Sequence, residues 1–304
     1  MDVFASAAAV ATVRDLVEPS VRFVDVVPGA DTSSVDAAWL SADLWHGGTL
    51  GVFFAGLRAA PRVRWVHTSS AGTDGAGFDE LRARGVLLTT SHVNATPIAE
   101  YVLAMVLRHY QRPGEWDAAR RERTWAHHDF REVLGTTWLV IGLGAIGSEV
   151  ATRARAFGAR VIGVRRSPSG DEPVDLMVTP DALPDVASDA DVVVLSRPAS
   201  PGAPPIVDTA FLSAMRPGSV LVNVARGSLV DDAALLAALE QGVPEHAILD
   251  VFDVEPLPDD SPYWAHPRVT VTPHSANGGL GRYRRAAELF ASNLDRFVRG
   301  ELTP

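Results

Sequence analysis

The run Gly142-Leu143-Gly144-Ala145-Ile146-Gly147 constrains this chain more than any other stretch. It follows the apolar run Thr137 to Ile141 and opens a stretch of helical periodicity over 145–157, so the glycines fall on the turn between a strand and a helix. Each glycine in such a turn has its own task. Gly142 lets the chain reverse, Gly144 lets a pyrophosphate approach the backbone, and Gly147 lets helix and strand pack closely. The N–H groups at the helix start, around Ala145 and Ile146, then hold phosphate charge. The same glycines could also make a ligand-free β-to-α turn, but the strand and helix on either side favour dinucleotide binding.

The chain around this turn alternates strand and helix signals. Strands are expected at 137–141, 160–164, 191–195, 219–224, 246–251 and 268–272, with helices at 145–157, 208–215 and 231–241. Arg216-Pro217-Gly218 and Gln241-Gly242-Val243-Pro244 mark two helix ends. Alternation of this kind predicts an α/β fold with a doubly wound parallel sheet. Upstream, strands at 21–27, 64–68 and 86–90 with a helix over 77–84 make a second, smaller α/β unit. The boundary is placed at Asn94-Ala95-Thr96-Pro97, where Pro97 can open a helix. That helix, 98–110, carries only Glu100 as a charge before Arg108, and an all-round apolar helix must be buried. Whether its own domain or a second subunit covers it is open. A long amphipathic helix over 281–298 could return to the first unit.

Composition narrows the chemistry. At 304 residues and 47% hydrophobic content the chain is large enough for two domains. It has no Cys, which excludes disulfides, thiolate metal sites and Cys nucleophiles. Its 27 basic residues are all Arg, so a lysine Schiff base is excluded as well. A net charge of −10 argues against nucleic acid or an acidic membrane as partner. The start, 1–13, has an acidic Asp2 and no basic segment, a poor match to a signal peptide. No apolar run reaches the roughly 18 residues of a membrane span. The expected compartment is the cytoplasm.

The strand over 160–164 ends about 20 residues after the first glycine, where proteins that bind NAD usually place an acid for the ribose 2′-OH. Here the chain reads Arg165-Arg166-Ser167. Two guanidiniums and a hydroxyl can take a 2′-phosphate through charge-assisted hydrogen bonds, which favours NADP over NAD. The alternative, solvated arginines at a strand end, stays open.

Three residues suited to acid–base and anion chemistry follow other strands. Arg226 comes after 219–224, Glu255 after 246–251 and His274 after 268–272. All three therefore fall at the carboxyl edge of a parallel sheet, where open α/β sheets bind ligands.

With these residues the chain resembles the D-isomer-specific 2-hydroxyacid dehydrogenases. The likeness runs from Ser70-Ala71-Gly72-Thr73-Asp74 and Ala99-Glu100, through Gly142 to Gly147 and Val224-Ala225-Arg226-Gly227, to Asp250-Val251-Phe252, Glu255-Pro256, Ser261-Pro262 with Trp264, and Thr272-Pro273-His274. The spacings from Arg226 to Glu255 and from Glu255 to His274 are typical of that family, and the glyoxylate and hydroxypyruvate reductases are its nearest subgroup. The resemblance implies two doubly wound parallel-sheet domains, a Rossmann cofactor domain (97–276) inserted in a flavodoxin-like substrate domain (1–96 and 277–304), with the active site in the cleft between them.

It further implies reduction of a small 2-keto acid to a D-2-hydroxy acid, or the reverse, with NADP or NAD. Arg226 would bind the substrate's carboxylate and carbonyl oxygens. His274 would be the general acid, and Glu255 would pair with it, favouring the charged ring and fixing its orientation. Asp250 would bond the nicotinamide carboxamide. Ala225 belongs to the expected cofactor site, and the backbone around Ala71 and Gly72 to the substrate carboxylate cradle, although locally Ala71-Gly72 reads equally as a plain turn. A homodimer around the helix over 98–110 is the family expectation.

Other residues carry less. His67 could face the cleft, but reads rather as a strand filler, and Trp45 and Trp125 read rather as packing than as pocket walls. His127, His128 and His246 lack partners at metal spacing, and no metal is expected. Two rival functions share the motifs, a non-catalytic NAD(P)-sensing partner protein and a phosphite-type dehydrogenase. A formate dehydrogenase would carry Gln in place of Glu255. A phosphoglycerate dehydrogenase with a regulatory tail would need chain beyond Pro304.

Overall fold

The computed structural model describes residues 1–45, 48–73, 75–200 and 202–302. In chain order the elements are β1 (Asp2–Ala5), α1 (Ala7–Val13), β2 (Arg22–Asp25), β3 (Val35–Leu40), α2 (Thr49–Arg58), β4 (Trp65–Thr68), α3 (Ala76–Ala83), β5 (Leu87–Thr89), α4 (Ala95–Gln111), α5 (Pro113–Arg121), β6 (Thr137–Ile141), α6 (Ala145–Ala156), β7 (Arg160–Val164), β8 (Leu176–Val178), α7 (Leu183–Ala187), β9 (Val192–Leu195), α8 (Thr209–Ala214), β10 (Val220–Asn223), α9 (Asp232–Gln241), β11 (His246–Leu249), β12 (Val269–Val271) and α10 (Gly281–Val298). They divide into two compact units, Met1–Asn94 with Gly279–Pro304, and Ala95–Gly278. The inserted unit extends two residues beyond 97–276 at each end; at its start, α4 begins at Ala95, which is already buried.

In the first unit the strands run in the order β2-β1-β3-β4-β5, all parallel. Two of the inner strands were not expected from sequence. Every residue of β1 and β3 is buried, so neither shows the alternation that marks a strand with one wet face. Within β3, Asp36 is held by accepting from the Asp2 backbone N–H (3.2 Å) and from Arg62 (3.0 Å). Helices cover both faces. Phe4, Leu40 and Val66 pack with Phe53 and Leu57 of α2 and with Phe78 of α3. Val3, Trp39 and Trp65 pack with Val13 of α1 and with α10, whose Phe290 ring stacks on Trp39 at 4.6 Å and on Trp65 at 5.5 Å.

The second unit holds a parallel sheet in the order β12-β11-β10-β9-β6-β7-β8. The order reverses between β6 and β9, the kind of switch point at which doubly wound sheets open a crevice. Register aligns the strand ends, because Ile141 pairs with Leu195, Leu195 with Asn223, Asn223 with Leu249, and Leu249 with Val271. Helices α8 and α9 start where Asp208 and Asp231 accept from Phe211 N (2.9 Å) and Ala234 N (3.0 Å), and α9 stops at Gly242 in a left-handed conformation.

Within its own unit helix α4 is covered on one face. Ile98, Ala99, Val102, Val106 and Tyr110 are buried with Val150, Ala151 and Ala154 of α6, but Leu103, Met105 and Leu107 are only half-buried. One face of the helix therefore suffices for its own unit.

His67, fully buried in β4, pairs its Nδ1 with Thr89 Oγ1 at 2.9 Å, while Nε2 has no partner among the described residues. Burial pushes its pKa down to about 4. The unfolded chain takes up this proton from about pH 6.5 and the folded chain only near 4, so stability present above 6.5 is lost as the pH falls through that window. Between about pH 7 and pH 5 the loss due to His67 is about 2 kcal/mol. Urea titrations of wild type and His67→Gln should differ in this slope; an equal pH-dependent loss in the variant would contradict the assignment.

Candidate active site

The glycine turn leaves β6 at the switch point. Gly142 has φ +107°, and a Cβ there would lie 2.7 Å from the Arg197 backbone N. A Cβ on Gly147 would lie 2.0 Å from the Gly142 carbonyl oxygen, so this position in α6 admits only glycine. Ser196 Oγ donates to the same carbonyl at 2.9 Å. Gly144, which precedes α6, meets nothing at its Cβ position. Two glycines are thus closed by protein and the third faces open space beside the first-turn amides of Ala145 and Ile146. This arrangement fits a dinucleotide pyrophosphate.

At the end of β7, Arg165, Arg166 and Ser167 are exposed. Arg165 is engaged in a way the sequence did not suggest, since it donates to Glu172 at 3.0 Å. The side chain of Glu172 is only 5% exposed and also accepts from Ser169 N (2.7 Å), Ser169 Oγ (2.9 Å) and Gly170 N (2.9 Å). The Ser169 and Gly170 hydrogen bonds hold its carboxyl down at about 2. An acid therefore stands beside the arginines after all, supplied from farther along the loop.

The carboxyl ends of β10, β11 and β12 carry the remaining groups. Arg226 sits on a turn organised by buried Asn223, whose Oδ1 accepts from Ala225 N at 3.0 Å and whose Nδ2 donates to Arg226 O at 2.9 Å. The Arg226 guanidinium itself donates to the Ala225 carbonyl at 2.7 Å. A Cβ on Gly227 would lie 2.0 Å from Asp253 N, so the Arg226 turn and the loop that leads to Glu255 meet backbone to backbone. Glu255 Oε1 accepts from Phe252 N at 2.9 Å, and Oε2 pairs with His274 Nδ1 at 2.8 Å. A carboxylate at Nδ1 assigns that nitrogen the proton and leaves Nε2, across the ring, for chemistry.

His274 itself has φ +50°, a left-handed backbone uncommon for a residue with a side chain. Its amide donates to Asp250 O at 2.8 Å, and the buried Asp250 carboxylate accepts from Thr272 Oγ1 (2.6 Å), Ser275 N (2.9 Å) and Ala276 N (3.0 Å). Burial raises the Asp250 pKa. Asp250 thus anchors the His274 loop. The parts played by Asn223, Thr272 and Glu172 escaped the sequence reading. Thr272 opens the Thr272-Pro273-His274 motif and Asn223 directly precedes Val224-Ala225-Arg226-Gly227, but nothing local marked Glu172.

Ala71 and Gly72 follow β4 in the first unit, where Ser70 Oγ donates to Gly72 O at 2.6 Å; Asp74 lies outside the described residues. His67 fills an interior strand position. Trp45 and Trp125 are exposed. His128 pairs with Gln111 O at 3.0 Å and His246 with Thr270 at 2.8 Å. Among the described residues no three His, Asp or Glu side chains converge as a metal site, and no helix is long and apolar enough to cross a membrane.

Residues 103–276 match the family model for the D-isomer specific 2-hydroxyacid dehydrogenase NAD binding domain. The chain is 36% identical over 301 residues to the D-3-phosphoglycerate dehydrogenase of Mycobacterium tuberculosis, covering 97% of this chain and 56% of that protein. It therefore spans about half the length of the curated relatives of that name. With the glyoxylate reductase of Thermococcus kodakarensis it shares 33% identity over 258 residues, 81% of this chain and 77% of the relative. A solved structure of an NADPH-dependent glyoxylate/hydroxypyruvate reductase from Sinorhizobium meliloti, in complex with NADP and sulfate, superposes with a TM-score of 0.79 at 25% identity, covering 98% of this chain and 95% of the other. On the glycine turn, the paired Glu255 and His274 and these likenesses together, the chain belongs to the D-isomer-specific 2-hydroxyacid dehydrogenase family.

Proposed function

We propose that this chain reduces a small 2-keto acid of the glyoxylate or hydroxypyruvate kind to the D-2-hydroxy acid, or runs the reverse reaction, with NADP or NAD. The observation that carries the reading is the 2.8 Å pair of His274 Nδ1 and Glu255, on the same sheet edge as an open dinucleotide turn. A glyoxylate reductase among the relatives and an NADP complex among the similar structures support it. Gly142, Gly144 and Gly147 with the amides of Ala145 and Ile146 would hold the pyrophosphate, and Ala225 and Asp250 the nicotinamide side. When bound, the dinucleotide supplies the hydride.

The chain's residues supply position and a proton. Arg226 takes the substrate's carboxylate and carbonyl oxygens. His274 delivers a proton from Nε2 to the carbonyl oxygen as the carbon is reduced, and recovers it in the reverse direction. Glu255 keeps the ring in the orientation that presents Nε2.

The same proposal includes a cytoplasmic homodimer. In its support, Leu103, Met105 and Leu107 on α4 are only half-buried, and Trp116, Trp125 and Phe130 are exposed nearby in sequence. Light scattering at micromolar concentration should give about twice the 32.4 kDa chain mass. A monomer there would refute the dimer.

For the reaction, His274→Ala should lower keto-acid reduction by at least about a hundredfold, as loss of a general acid does, with NADPH affinity unchanged. Arg226→Ala should raise KM and lower kcat together. Near-normal turnover of His274→Ala would overturn the assignment.

For the cofactor, we propose that Arg165, Arg166 and Ser167 read the 2′-phosphate despite the Glu172 contact, giving NADPH roughly a tenfold advantage over NADH in kcat/KM. Arg165→Asp should reverse it, by repulsion as well as lost attraction. Equal efficiencies in the unaltered protein would mean that Arg165 stays committed to Glu172.

A further inference from the structure

Resting on the reading of His274 as the acid, we propose that Tyr101 of α4 is a positioning residue, which holds the His274 loop through a directed hydrogen-bond chain, Tyr101 to Thr272 to Asp250. The links are short, with Tyr101 Oη to Thr272 Oγ1 at 2.6 Å and Thr272 Oγ1 to Asp250 Oδ1 at 2.6 Å. Their direction follows from what each group has to give. Asp250 accepts from Ser275 N and Ala276 N, one on each carboxylate oxygen, and as a carboxylate it has no proton to offer. The Thr272 hydroxyl proton is therefore committed to Asp250, and Tyr101 must donate to Thr272. Burial pushes the Tyr101 hydroxyl up to about 12, so it remains a donor at any working pH.

The chain of bonds matters because of what it supports. Thr272, Ser275 and Ala276 flank His274 on both sides, and all three are tied to the one carboxylate. Between them His274 is held in a left-handed backbone conformation that a non-glycine residue adopts at a cost, and surrounding contacts must maintain it. Tyr101 is the contribution of α4 to that support, since its hydroxyl orients the Thr272 side chain. Chains of this kind, anchored in a buried carboxylate, reinforce one another.

The test compares Tyr101→Phe, Thr272→Val, Thr272→Ser and the Tyr101→Phe/Thr272→Val double variant, with His274→Ala alongside. Tyr101→Phe should lower kcat about tenfold, as small misplacements of a reacting group do, with the NADPH dissociation constant unchanged. Thr272→Ser should stay near wild type because it keeps the hydroxyl. The double variant should be no worse than Thr272→Val, since both changes break the same chain. Amide NMR signals of Ser275 and Ala276 should shift in Tyr101→Phe. Full kcat in Tyr101→Phe with unmoved amide signals would overturn the proposal, as would losses that multiply in the double variant. Turnover retained by His274→Ala would instead remove the acid assignment, while the amide signals would still report whether Tyr101 holds the loop.

Discussion

In-register pairing of parallel strands is the constraint on which this molecule's site depends. When every strand of a sheet runs the same way, all carboxyl ends share one edge, and groups far apart in the chain converge there without any designed contact between them. The alignment of Ile141, Leu195, Asn223, Leu249 and Val271 brings the glycine turn, the Arg226 turn, Asp250 and the His274 loop to that edge. Backbone approach then tightens it. Gly147 lets α6 lie against the Gly142 carbonyl, and Gly227 lets the Arg226 turn touch the loop before Glu255, both at distances that no side chain would allow.

Buried carboxylates fasten the loops that leave this scaffold. Asp250 gathers donors from both sides of His274. At the start of β9, Asp191 does the same for the opposite edge, accepting from Thr137 N (2.7 Å) and pairing with Arg131 and Arg216. Glu172 repeats the device in the loop after β7. In each case several donors satisfy one charge, which is the condition under which a buried carboxylate supports a structure and does not merely burden it. The Glu172 case has a chemical consequence too, because the charge that orders the loop also engages Arg165.

The first unit depends on packing more than on charge. Its sheet is sandwiched by helices from both ends of the sequence, α1 and α10 on one face and α2 and α3 on the other. The stack of Trp39, Phe290 and Trp65 ties the last long helix to strands formed by the first hundred residues. Aromatic contacts of this kind add to plain area burial, and here they close the fold across nearly the whole chain length.

The sequence by itself determined the glycine turn, most strands of the second unit, and the placement of Arg226, Glu255 and His274 at strand ends. Those signals are local: glycines at set spacings, apolar runs between breakers, and a residue's distance from the end of its strand. It did not reveal β1 and β3, whose burial on both faces erases the alternation that betrays a strand. Nor could it show which face of α4 packs within its own unit, that Glu172 would reach back to Arg165, or that Tyr101 would meet a threonine 171 residues away. Only the tertiary structure decided these, because each depends on which side chains face one another once helices and sheet are packed, and no periodicity in the chain encodes a partner that distant.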